Sequence, residues 1–455
     1  MREFLPEGTA AVEYAYPGEL ATYVRGAWPE VVDENLRWKN DDGVTDPLPD
    51  GPLLRKLIST AYQASLLSDE GRSVTFRLML RTPDRLPADA GPPQGLHRLI
   101  FVQPRPYTPH ELRQLASAAV YHRSIIGVEP DPDDGFRIWG VLNSGPRWMQ
   151  EQYGGRRPTC PLPASPVLRV TDPGAVQFYA GSMAIARLEA GRVLGKPIDV
   201  YTSHWLAELF SQNLSEVMDL HQAERQRALA QGELWGCVDP FIIRQVTQQM
   251  VKRLVATIRD ADHGGLLVTI SPEDVDRIEQ EQHTSDMPLI RMKYLFKPGE
   301  PRWRFRKLLL RLMATLAEAH PECDGRDGNF AGWKEYQTSI VHDLNAFDEG
   351  ILEVAHLAAG LAATDGALIM TKRFDIVGFG GEISPDLPLT PAVAQALDVE
   401  GVQTVLVATD LVGTRHRAAY RLVNRLRDSL AIVISQDGEV RFVTWHNDNV
   451  TFWRQ

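Results

Sequence analysis

The stretch from Ala346 to Thr444 constrains the fold most, because helix-like and strand-like runs alternate along it. Ala346–Leu361 carries a helical pattern. Short apolar runs follow at Ala367–Met370, Asp375–Phe379 and Gln403–Ala408, then at Leu430–Ile434 and Val440–Thr444, with a helix after Thr414. Such alternation lets helices cover a sheet, so it predicts an α/β domain whose mixed β-sheet is flanked by helices. Gly264–Ile270 reads as another buried strand of that domain, preceded by a helix over Ile243–Arg259.

The earlier chain is patterned differently. Leu20, Val24 and Trp28 recur every four residues after Pro17, which predicts a helix with Pro17 in its first turn. A second helix is expected over Leu53–Leu67 and a third after Thr108-Pro109-His110-Glu111, where a Thr cap, a proline and an early acid stand in order. Strands are expected at Ser73–Leu80, Leu96–Val102, Phe136–Leu142, Val167–Val170, Ala175–Ala180 and Met183–Leu188. Leu86–Pro93 and Gly154–Pro166 read as loops, and the acidic run Glu129–Asp134 as a solvated turn. We therefore expect an α+β domain over residues 1–200, and the α/β domain over 201–455.

Charge and cysteine content narrow the function. The chain of 455 residues carries a net charge of -11, which argues against coating DNA or a membrane surface. No apolar run approaches the ~18 residues of a spanning helix. The N-terminus has no apolar core of a signal peptide. The cysteines Cys160, Cys237 and Cys323 are far apart and suit a reducing compartment. The expectation is a cytoplasmic protein with no membrane and no nucleic-acid partner. His204, His221, His263 and His283 lack ligand spacing, and Trp303, Trp333, Trp445 and Trp453 read as core or interface anchors.

Two segments carry chemistry. Asp365-Gly366-Ala367 opens a strand: a carboxylate there can hold Mg²⁺ or Mn²⁺, and Gly366 lets backbone approach a ligand. Gly413-Thr414-Arg415-His416-Arg417-Ala418-Ala419 starts a helix, with Thr414 expected as its N-cap. The free N–H groups and two guanidinium groups at that start suit phosphate, while the small Ala418 and Ala419 allow close packing on the sheet. His416 alone, with no carboxylate partner in sequence, reads as a packing or hydrogen-bonding residue.

In this order and α/β context the two segments resemble the signature motifs of the diadenylate cyclase (DAC) domain. Gly264–Ile270 is similar to that family's opening strand, and Ala431–Ser435 to its late strand. The resemblance covers the C-terminal half. It implies that two ATP molecules are condensed into cyclic di-AMP with release of two pyrophosphates, across two sites facing each other in a homo-oligomer. It assigns metal-assisted activation of the 3′-hydroxyl to Asp365 and nucleotide contacts to Gly366, Ala367, Gly413 and Ser435. Thr414, Arg415 and Arg417 would hold the phosphates, with His416 inside the motif. Mg²⁺ or Mn²⁺ is the implied cofactor, held by Asp365 and by Asp437.

The chain departs from the family in three places. Ser435-Gln436-Asp437 replaces Ser-Glu-Glu, so Asp437 must serve with a shorter reach. The interval from Asp365 to Arg415 is long, which predicts an inserted helix over Leu387–Gly401; insertions are expected around 272–345 and 384–401. Gly380-Gly381-Glu382 stands where the family carries an apolar segment. The alternative is a weak or inactive DAC-fold nucleotide sensor. Tyr16-Pro17-Gly18-Glu19-Leu20 and Ser144-Gly145-Pro146-Arg147-Trp148 resemble the sensor domain called DACNV, found fused to DAC domains.

Overall fold

The structure is a computed structural model. It describes residues 14–37, 46–92, 95–131, 133, 135–145, 154–156, 162–261, 263–410, 412–436 and 438–455. The fold is mixed α/β, as the alternation predicts, with two large mixed sheets flanked by helices. The chain forms two compact units: Met1–Met149 with Thr159–Pro197, and Gln150–Pro158 with Ile198–Gln455. The short segment joins the second unit through Arg156, whose buried guanidinium donates to the Tyr336 carbonyl at 2.6 Å and to Asn345 Oδ1 at 3.0 Å.

In the first unit a small hairpin, β1 (Ser68–Asp69) and β2 (Arg72–Ser73), precedes an eight-stranded sheet. Its strands are β3 (Phe76–Leu80), β4 (His97–Pro106), β5 (Ser124–Asp131), β6 (Gly135–Asn143), β7 (Pro166–Asp172), β8 (Ala175–Ala180), β9 (Met183–Glu189) and β10 (Arg192–Leu194). The order is β10-β9-β8-β7-β3-β5-β6-β4, with β3 and β5 parallel. Helices Pro17–Arg37, Gly51–Ser65 and Pro109–Ala118 bury Leu20, Val24, Leu54 and Leu112 against the sheet. Local chemistry starts two of them: Asp50 Oδ1 accepts from the Leu53 N–H at 2.9 Å, and Thr108 Oγ1 from the Glu111 N–H at 3.3 Å. The acidic run is not a solvated turn throughout. Glu129 lies in β5, 8% exposed, where Arg137 Nε bonds its carboxylate at 2.7 Å and makes burial of the charge tolerable.

The second unit holds a nine-stranded sheet in the order β12-β14-β13-β11-β17-β18-β19-β15-β16. Its members are β11 (Gly265–Ile270), β12 (Ile290–Leu295), β13 (Ala367–Thr371), β14 (Ile376–Ile383), β15 (Ala392–Ala396), β16 (Thr404–Ala408), β17 (Leu430–Ile434), β18 (Val440–His446) and β19 (Asn449–Arg454). Strict alternation sorts their side chains. Leu267, Met370 and Ile432 face helices Phe241–Asp260, Arg304–Ala319 and His342–Ala362, while Leu266, Ile369 and Val433 face helix Thr414–Arg425. Helix Arg304–Ala319 shows why it packs: Leu308, Leu309, Leu312, Met313 and Leu316 fall on one face and are at most 3% exposed.

Three regions depart from expectation. Leu387–Gly401 is not a helix; its central part is β15, parallel to β19 and antiparallel to β16. Pro388 and Pro391 exclude a continuous helix there, and the Ala–Val run offers its alternate side chains to a sheet. Pro272–Asn345, where insertions are expected, contains helix Pro272–Thr284 and edge strand β12 besides helix Arg304–Ala319. The last strand, β19, was not among the expected strands, although it pairs with β18 over six positions.

Candidate functional site

The sheet register gathers the sequence-predicted residues. β11 and β13 run parallel with Leu266 opposite Ala367, and β17 runs against β11 with Ile434 opposite Gly265. Gly264, Gly366 and Ser435 therefore reach the same end of the sheet. β14 brings Gly381 opposite Ala367 from the other side.

Glycine is required there by space. Gly366 has φ +112°, and a Cβ on it would lie 2.6 Å from the carbonyl carbon of Gly380. The Gly380-Gly381 pair, foreign to the resemblance, is what packs against Gly366. Gly264 has φ +62°, and a Cβ there would lie 2.7 Å from the Ile434 carbonyl oxygen and 3.0 Å from Arg415 Nη1. The Arg415 guanidinium thus reaches the backbone junction of β11 and β17.

Helix Thr414–Arg425 begins beside this junction. Its N-cap is Gly413, not Thr414, which is the first helical residue; Gly413 is extended and no side chain caps the helix. The first turn holds no acid. Arg415 and Arg417 are half-buried and their side chains make no hydrogen bond or ion pair among the described residues, so the helix start is electropositive. His416 points inward, 9% exposed, 6.3 Å from the Tyr420 ring, and shares the buried face with Ala419.

Asp365 is exposed at the strand mouth and likewise makes no hydrogen bond or ion pair among the described residues. Lys293 on β12 stands near it. Its ammonium binds Glu382 at 3.0 Å, and the Glu382 bond and charge, with a lesser contribution from the Asp365 charge, raise the lysine pKa above its usual value. Ser435 is held in the turn from β17 to β18: its hydroxyl donates to the Glu439 carbonyl at 3.2 Å and accepts from the Glu439 N–H at 2.9 Å. Glu439 is fixed in turn by Arg441 at 2.7 Å and Arg454 at 2.8 Å. Arg441 also bonds the Tyr420 hydroxyl at 3.0 Å, and burial raises that phenol's pKa. Asp437 lies outside the described residues.

Several neighbours were not read from sequence. Lys293 belongs to a strand whose alternation, Ile290 and Met292 inward against Arg291 and Lys293, was hidden by charge. Tyr294 stacks on Phe379 at 4.6 Å, and Tyr294 is 54% exposed, an aromatic surface beside Lys293 and Gly380. His263 Nδ1 lies 2.8 Å from the Gly264 carbonyl oxygen. Among the described residues, no three His, Cys, Asp or Glu side chains gather to hold a metal. One carboxylate suffices for Mg²⁺ when phosphate oxygens and water complete its shell, and exposed Asp365 fits that limited role.

Comparisons with known proteins bear mainly on the first unit. The family described as probable sensor domain DACNV matches residues 44–143. That span contains helices Gly51–Ser65 and Pro109–Ala118 and strands β3 to β6. A solved structure of a hypothetical membrane spanning protein from Bacillus cereus is 15% identical, covering 55% of this chain and 95% of that one, at a TM-score of 0.22. A likeness at that score carries no argument about fold or function. No curated protein matches the chain. Among the described residues, no helix is long and apolar enough to cross a membrane. The first unit therefore carries a match to a sensor-domain family associated with diadenylate cyclases.

Proposed function

We propose that the second unit is a diadenylate cyclase domain and that the first senses a signal which controls it. The observation that carries this reading is the convergence of unpaired Arg415, exposed Asp365 and the glycines Gly264 and Gly366 on one sheet end. The DACNV match beside it supports the same reading.

Two copies would each hold one ATP. Each 3′-oxygen forms a bond to the other nucleotide's α-phosphorus, the bond from that phosphorus to the bridging oxygen breaks, and pyrophosphate leaves with the electron pair. The hydroxyl proton passes to solvent. Arg415, Arg417 and the uncapped N–H groups of helix Thr414–Arg425 bind and orient the triphosphate. Lys293 adds a cation at the rim, and the Tyr294–Phe379 stack offers the base a face. Asp365 would hold Mg²⁺ or Mn²⁺, which supplies charge neutralisation at the reacting oxygens when bound. Ser435 acts through the turn it closes rather than through a spare hydroxyl.

A second reading, a nucleotide sensor that no longer cyclises, is favoured by one observation. The Lys293–Glu382 pair sets an ammonium beside the carboxylate that the metal needs.

Face-to-face chemistry makes a lone copy incompetent. Specific activity is therefore expected to rise with protein concentration through the range where light scattering reports self-association. Activity per milligram that stays flat through a demonstrated monomer–oligomer transition would overturn this reading.

A further inference from the structure

At the other end of the nine-stranded sheet, beyond the carboxyl ends of β11 and β13, lies a cleft of about 330 Å³. Ser271 follows β11, Lys372 follows β13, and Trp445 with His446 ends β18. Small-molecule sites start at ~300 Å³, and open α/β sheets take ligands outside the carboxyl ends of their strands.

The cleft selects by charge. Glu208, Glu216, Glu273 and Asp428 stand in its wall with one ammonium, Lys372. Lys372 Nζ pairs with Asp428 at 2.5 Å, and Arg373 pairs with Glu216 at 2.7 Å. Glu208 and Glu273 are left without a cationic partner among the described residues. An acidic surface alone is ordinary, but Asn213 adds an independent observation. It is 8% exposed, it lines the cleft, and its amide makes no hydrogen bond among the described residues. Its polar atoms stay open to the cleft, where a ligand that bonds them replaces water. Asn213 and Lys372 also line an adjoining cavity of about 90 Å³, walled by Leu206, Phe210, Leu214 and Phe374. A polar, acidic cleft and an apolar cavity thus meet at one unmatched amide.

We propose that this cleft binds a small organic cation, an ammonium that carries an apolar group. Its charge sits with Glu208 and Glu273, an N–H donates to Asn213 Oδ1, and its apolar group enters the cavity. An anion would face the carboxylates. A bare divalent ion would find no set of three ligating side chains among the described residues. The proposal stands apart from the nucleotide reading and is tested without ATP.

The test is a saturation-transfer NMR titration of the full chain with n-pentylammonium, with pentanoate, pentan-1-ol and MgCl₂ as comparisons. Saturable binding of pentylammonium is expected, with pentanoate and pentan-1-ol much weaker. The double variant Glu208→Gln with Glu273→Gln should raise its Kd on the order of tenfold, as loss of charge-assisted contacts implies. Asn213→Leu should weaken binding comparably. If that buried variant fails to fold, the exposed Glu pair still decides. Absence of saturable binding, equal binding of pentanoate or pentan-1-ol, displacement by equimolar Mg²⁺, or an unchanged Kd in the Glu pair would each overturn the proposal.

Discussion

Gly366 and Gly380 pack so closely that a Cβ at position 366 would stand 2.6 Å from the Gly380 carbonyl carbon. The contact joins the mouth of β13 to the bend in β14, and it holds Asp365 at the sheet end. Gly366→Ala meets both that contact and φ +112°. Strain of this kind costs about 1–3 kcal/mol before the clash is counted. The denaturant midpoint of Gly366→Ala should fall accordingly, and ATP affinity with it. An unchanged midpoint would mean that the two strands separate freely at this end.

Arg415→Ala and Arg417→Ala should leave the midpoint unchanged, because neither side chain has a partner among the described residues to lose. Each should weaken ATP binding by roughly tenfold or more, the size of a charge-assisted bond to phosphate. Calorimetry with unchanged affinity in both variants would make these arginines an ordinary solvated face.

How much of this was legible beforehand differs by residue. The Thr108 cap and the Pro17 helix start were readable because both signals are local. That Asp365 and Arg415 stand at one end of the sheet was not contained in their spacing. It follows from two registers, Leu266 opposite Ala367 and Gly265 opposite Ile434, which no short window encodes. β15 looked helical because alanine is common in it, yet its partners β16 and β19 decide its conformation. Lys293 was missed because β12 is an edge strand whose exposed face is charged, which masks its alternation.

His221 supplies a test of the second unit's core. It is fully buried, 5.7 Å from the Trp235 ring, and neither ring nitrogen is hydrogen-bonded. Burial, with the Arg225 charge, pushes its pKa down from 6.5 to about 4. The unfolded chain then binds the extra proton first as pH falls. Stability from this group is full above pH 6.5 and is lost progressively between there and about pH 4. The loss is on the order of 3 kcal/mol. His221→Phe should flatten the unfolding midpoint over that window, measured by urea titration at several pH values. The same slope in both proteins would assign the acid sensitivity elsewhere.

The central claim is tested most directly by the product. Purified protein is incubated with ATP and Mg²⁺ or Mn²⁺, beside Asp365→Asn, and the mixtures are analysed by mass spectrometry. The account predicts cyclic di-AMP and pyrophosphate from the native protein. It predicts none from Asp365→Asn, which keeps the side chain's shape, the fold and the midpoint while removing the charge that holds the metal. ATP bound but left unconverted by the native protein, or equal turnover by Asp365→Asn, would contradict it.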